Sequence, residues 1–250
     1  MPDIDPDLER PDDPNDTARL KAVLVLVAAI AFVTSPFLAE PFTGFDPDQL
    51  AVPIDQPPVQ PAGYAFSIWG LIYLWLLASA GYGLVKRDID KAWDATRWPL
   101  FISLAIGASW IAVALQMPGA ATLLIWVMLA GAALALLRAP DRDAPWLVLP
   151  LGLYAGWLTA AATVALATIV MGAALLPPMT ASWAGLAMAT ALAIAIAGRT
   201  TALTYPLGVA WALIGVTVAN IATAPLFAAA AAAAALTMGY IAYTLWQRRA

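Results

Sequence analysis

Cysteine and histidine are both absent from this chain, and Asp, Glu, Lys and Arg together make up only 11% of its 250 residues. Without cysteine there is no disulfide framework and no thiolate metal site. Without histidine there is no imidazole ligand and no imidazole base. The few charges also avoid the long apolar runs, except at their ends. Ion-driven transporters keep ionisable groups inside the bilayer to pair with the transported charge, and paired carboxylates would be needed there for acid–base work. The sequence therefore points away from an ion-coupled transporter. No enzymatic activity, cofactor, bound metal or nucleic-acid partner is expected.

What the chain has in quantity is apolar surface: 62% of its residues are hydrophobic, and its mean hydropathy is +0.80. A soluble fold of that composition could not cover itself with polar groups. A bilayer core about 30 Å thick needs roughly 20 apolar residues per helical crossing. Eight such spans are predicted, at 20–39, 65–85, 98–116, 120–137, 146–170, 181–198, 203–223 and 226–246. Met117-Pro118-Gly119, Pro177-Pro178 and Pro225 break the longer runs, where proline cannot continue a helix. With this division the twelve Lys and Arg residues fall before or at the very start of the first span, after the last, or in alternate loops. The positive-inside rule then places both termini in the cytoplasm. The expected class is an all-α integral membrane protein of a bacterial inner membrane.

The parts differ in character. Residues 1–19 contain seven acids from Asp3 to Asp16 with prolines and few apolar residues, a composition expected to be disordered. The outward segment 40–63 carries Pro41, Pro47, Pro53, Pro57, Pro58 and Pro61 with Glu40, Asp46, Asp48 and Asp55. It reads as a lid over a pocket or as a solvated connector. The last three spans hold only three of the eleven tryptophans and include the eight-alanine run Ala228 to Ala235, which suggests a closely packed internal helix.

Polar groups within the spans are hydroxyls such as Ser103, Thr159, Thr163 and Thr168, with Asn220 near the end of the seventh. Such groups usually bond a backbone carbonyl or a neighbouring helix. The remaining candidates for recognition are aromatic. Phe66, Trp69 and Tyr73 recur at i, i+3 and i+7 on one face of the second span, with Tyr64 just before them. Tyr154 and Trp157 share the fifth span, and Trp110 lies midway along the third. Tryptophan at a membrane interface accounts for Trp93, Trp98, Trp146, Trp183 and Trp246, but poorly for Trp110 and Trp157.

The run from Pro61 through Gly63, Tyr64, Phe66, Trp69 and Tyr73 resembles the start of the second helix in the tryptophan-rich sensory protein and translocator protein family. Ser109-Trp110 and the turn Gln116 to Gly119 look like that family's third helix and its end, and Tyr154 with Trp157 like the aromatic pair of its fifth. Departures accompany the match. Gly107 and Ala165 stand where asparagine is usual, Leu153 where proline is, and Tyr64 where tryptophan is common. The resemblance covers residues 20–170 and implies a five-helix bundle, leaving 171–250 as an additional three-helix region.

The resemblance also implies a pocket for flat or rigid apolar molecules, porphyrins and other tetrapyrroles or sterol-like ligands, beneath the first outward loop. Tyr64, Phe66, Trp69, Tyr73, Trp110, Tyr154 and Trp157 are the expected lining residues, which suits aromatic stacking on a large π surface. An electrostatic difficulty accompanies a porphyrin, because four acids flank the outward loop and every Lys and Arg lies on the opposite side. Membrane lipid is the other expected partner. Pairing of two copies is possible through small residues such as Gly81 and Gly83. Alternative readings are a regulatory scaffold acting through a protein partner and a facilitator moving a neutral lipid or pigment.

Overall fold

The computed structural model describes residues 14–40 and 42–248. Among these the regular structure is helical, with eight α-helices: α1 (Pro14–Thr34), α2 (Ile68–Lys86), α3 (Lys91–Ala114), α4 (Pro118–Arg138), α5 (Val148–Gly172), α6 (Pro178–Ala197), α7 (Thr204–Asn220) and α8 (Pro225–Gln247). Their starts follow from local chemistry. Pro118, Pro178 and Pro225 each open a helix at its first position, where the missing N–H is not needed. Asp90 caps α3 by accepting from the backbone N–H groups of Ala92 and Trp93. That cap starts α3 seven residues before the expected span, so Asp94 and Arg97 lie within its first turns.

Three expectations are corrected. Residues 14–19 are helical rather than part of a disordered tail, because α1 begins at Pro14; residues 1–13 lie outside the described residues. α7 has 17 residues, about 26 Å at 1.5 Å per residue and shorter than the ~30 Å hydrocarbon core. The other seven helices are long and apolar enough to cross. The alanine-rich α8 is peripheral, burying one stripe that includes Phe227, Ala231, Ala235 and Met238 and leaving Leu236, Tyr240 and Tyr243 exposed. The internal helix is α5, which is buried on almost every side and packs against α2, α4, α6 and α7.

Lipid offers helices no hydrophobic reason to associate, so close approach of backbones matters more. The α5–α7 contact is made that way. A Cβ added to Gly156 would stand 2.2 Å from the Tyr205 carbonyl oxygen, and one added to Gly208 would stand 2.9 Å from that of Leu153. The Tyr205 hydroxyl then meets the Thr159 hydroxyl at 3.0 Å. On the other side of the bundle α1 packs on α2 and α3, and α3 on α4. α8 lies on α7, while α6 rests chiefly on α5 and touches α7 and α8 sparingly.

Charge gathers at one end. Arg87 donates to both oxygens of Asp143 (2.7 and 3.0 Å), and the Trp93 indole N–H joins them at 3.1 Å. Arg142 pairs with Asp90, Lys21 with Asp94 at 2.8 Å and Arg19 with Asp88 at 2.9 Å. Buried Arg97 donates to the backbone carbonyls of Ala18 (2.8 Å) and Asp88 (2.6 Å). These bonds tie α1, the α2–α3 turn and the α4–α5 loop into one clamp. Gly83 packs under the Trp93 ring here, whereas Gly81 has open space beside it.

Candidate ligand cavity

At the opposite end lies an open-mouthed cavity of about 900 Å³, solvent space at its mouth included. Phe66 reaches it from the turn before α2, Trp69 from the first turn of α2, Trp110 from α3 and Trp157 from α5. Trp157 stands edge-on to both Phe66 (5.8 Å, 79°) and Trp69 (6.1 Å, 81°). Among the described residues its buried indole N–H meets no hydrogen-bond acceptor. Trp110 donates its N–H to the Ala121 carbonyl at 2.8 Å, which fixes its ring against the wall.

The other three residues predicted to line the pocket stand elsewhere. Tyr73 stacks behind Trp69 (5.2 Å, 19°) and meets the edge of Phe32. Tyr154 is fully buried, its hydroxyl 2.8 Å from that of Ser103, which donates to the Met128 carbonyl. Both back the wall without lining it. Tyr64 is 46% exposed and packs edge-on against Trp211 of α7. Trp211 in turn donates to the Ala65 carbonyl at 2.8 Å, so the turn leading into α2 is held by α7. The glycine at 107 has a steric cause: a Cβ there would be 2.6 Å from the Phe32 ring, leaving no room for asparagine.

The proline-rich segment covers the cavity, and Phe42, Phe45, Val59 and Gln60 are part of its lining. Phe42 meets Trp110 edge-on at 4.9 Å, and Gln60 donates to the Thr43 carbonyl at 2.8 Å. The segment is also pinned to the helices. Val52 N–H donates to the Gly172 carbonyl, Ala62 N–H to that of Gly215, and the Asn220 amide to that of Pro58. It is therefore no free connector.

Sequence reasoning missed the far wall. Leu186 and Ala189 of α6, Leu213 and Val216 of α7, and Phe227 of α8 also line the cavity. Small and aliphatic residues carry no individual signal, whereas Phe42 and Phe45 were visible as aromatics in an outward loop. Among the described residues no lining side chain is ionisable. Thr163 and Thr168 turn their hydroxyls to the carbonyls of Ala160 and Val164, which removes much of the wall's remaining polarity.

Seven long apolar helices, an eighth shorter one and a cavity walled by aromatic and aliphatic side chains define an α-helical integral membrane protein. A family model described as TSPO-like protein matches residues 22–243, and the chain belongs to that family. The match runs through α6, α7 and most of α8, which the aromatic motifs alone did not reach. Comparison with curated proteins and with solved structures finds no match.

Proposed function

We propose that the protein is a membrane receptor or carrier that binds a flat or rigid apolar ring molecule, of tetrapyrrole or sterol-like shape, without transforming it. The observation that carries this reading is the cavity itself, with Phe66, Trp69, Trp110 and Trp157 around one space. Large rings gain both from leaving water and from edge or face contacts with aromatic side chains. Phe42 and Phe45 form the lid of this site. Gln49, Val52, Pro58 and Ala62 are held by hydrogen bonds to the residue after α3, to α5 and to α7, so opening on this side falls to the stretch around Phe42 to Phe45 and needs release of the Gln60–Thr43 bond.

The test is quenching of tryptophan fluorescence in the detergent-purified protein by protoporphyrin, haem, a neutral sterol and a carotenoid. Saturable binding that weakens in Trp69→Phe and Trp157→Phe, with helix content unchanged, is the expected result. Affinities that are the same in native protein and both variants for every ligand would reject the aromatic site.

A further inference from the structure

Two routes into the cavity can be compared on physical grounds. The aqueous route, under the proline-rich segment, passes Phe42 and Phe45, is narrowed by the bonds that pin that segment, and lies beside Glu40, Asp46, Asp48 and Asp55. The second route lies between helices. α6 buries a single stripe, chiefly against α5, and α8 buries a single stripe, chiefly against α7. Little joins α6 to α8 directly. At that seam the Trp183 ring of α6 meets the Phe227 ring of α8 edge-on, 5.1 Å apart at 85°. Phe227 is 1% exposed and lines the cavity, whereas Trp183 is 36% exposed on the outer surface of the bundle. Two rings thus stand between the cavity and the exposed outer face of the bundle.

We propose that the cavity is loaded sideways from the bilayer, an uncharged lipid-dissolved ring molecule passing between α6 and α8 as the Trp183–Phe227 pair parts. The inference rests on the reading of the cavity as a ligand site and adds the ligand's source and charge class. An apolar molecule already concentrates in the hydrocarbon, so this route spares it a transfer into water. A charged ring would have to cross hydrocarbon to use it, and then meet a wall with no ionisable group. Parting the pair requires little backbone movement, since α6 has few other contacts with α7 and α8 to break.

The absence of cysteine from the chain makes a direct test available. The protein is reconstituted in phosphatidylcholine vesicles, and energy transfer from its tryptophans to the neutral fluorescent sterol dehydroergosterol gives association and dissociation rates. Trp183→Ala is expected to raise both rates about three- to tenfold, the rate equivalent of one lost aromatic pair. The dissociation constant stays nearly constant, because Trp183 is not a lining residue. Trp183→Phe keeps native rates. In a second arm, Trp183→Cys with Phe227→Cys is bridged by a cleavable bifunctional thiol reagent. Exchange should stop on bridging and resume on cleavage, a result that does not depend on how the alanine variant folds. Sterol rates indifferent to Trp183→Ala and to the bridge would overturn the seam while leaving the site intact. Tighter binding of protoporphyrin than of sterol would overturn the charge class. Failure of the native protein to bind either ligand would instead reject the cavity as a ligand site, and the seam with it.

Discussion

Trp157 and Tyr154 lie within one turn of α5 yet relate to the fold in opposite ways. The Tyr154 hydroxyl completes a buried chain through Ser103 to the Met128 carbonyl, whereas the Trp157 indole N–H meets no acceptor among the described residues. Tyr154→Phe is therefore expected to lower stability by about 0.6–1.5 kcal/mol, the usual range for a hydrogen bond between membrane helices or in a protein interior. Trp157→Phe should cost less than a comparable loss of a bonded indole, since no bond is broken and a ring remains. Thermal unfolding in detergent compares the two, and a Tyr154→Phe protein as stable as the native one would remove the hydrogen-bond chain from the account. The sequence singled out the aromatics at 64, 66, 69, 73, 110, 154 and 157 but did not show which way each faces. Helical spacing sorts residues to a face, and only neighbours such as Phe32 and Trp211 decide whether that face meets a cavity or another ring.

At the scale of helices, the decisive contact is between α5 and α7. Gly156→Ala places a methyl group where the Tyr205 carbonyl oxygen stands, 2.2 Å away, and one helix must move. A loss of about 1–3 kcal/mol is expected, as for other overpacked interiors, seen as a lower unfolding temperature; an unchanged temperature would show that α5 and α7 separate without cost. The end of α5 carries an opposite opportunity. Ala174 has φ +58°, and its N–H bonds the Met171 carbonyl while that of Leu175 bonds Val170, a helix-ending arrangement that favours glycine. Ala174→Gly should raise stability by up to about 1 kcal/mol by relieving the left-handed backbone. A decrease would mean that the side chain packs usefully there. The proline breaks and most helix limits were legible because they are local. The central position of α5 and the peripheral one of α8 were not, because an apolar helix in lipid reads alike whether its neighbours are helices or acyl chains.

The whole molecule is tied at one end and hollow at the other. The clamp around Asp143, Asp90, Asp94 and Asp88 joins three separate stretches of chain, while the cavity and its cover lie at the other end, away from these ion pairs. The bond from Arg87 holds the Asp143 carboxyl below the usual carboxylate range, against the opposing effect of burial; Arg19 does the same for Asp88. A depressed folded-state pKa means that the stabilisation is present above the unfolded value, near 3.9 for Asp, and is lost as pH falls through the lower folded value. The unfolding temperature should therefore fall below about pH 4, and Asp143→Asn should be less stable at neutral pH with a flatter profile. Parallel pH profiles for native protein and variant would show that this pair does not hold the clamp.

By itself the sequence determined the class. Helix formation in a bilayer follows from length, apolarity and the need to satisfy each backbone group within its own segment, and the alternation of Lys and Arg between loops follows the same local logic. The aromatic motif at 61–73 also carried the family, because it needs no knowledge of neighbours. Only the tertiary structure decided that Tyr64, Tyr73 and Tyr154 turn away from the cavity, that α6 to α8 build its far wall, and that the segment covering it is anchored by Asn220 and Gly215. Those facts depend on which backbones approach most closely, and that is settled by pairwise fits such as Gly156 against Tyr205, between residues far apart in the chain.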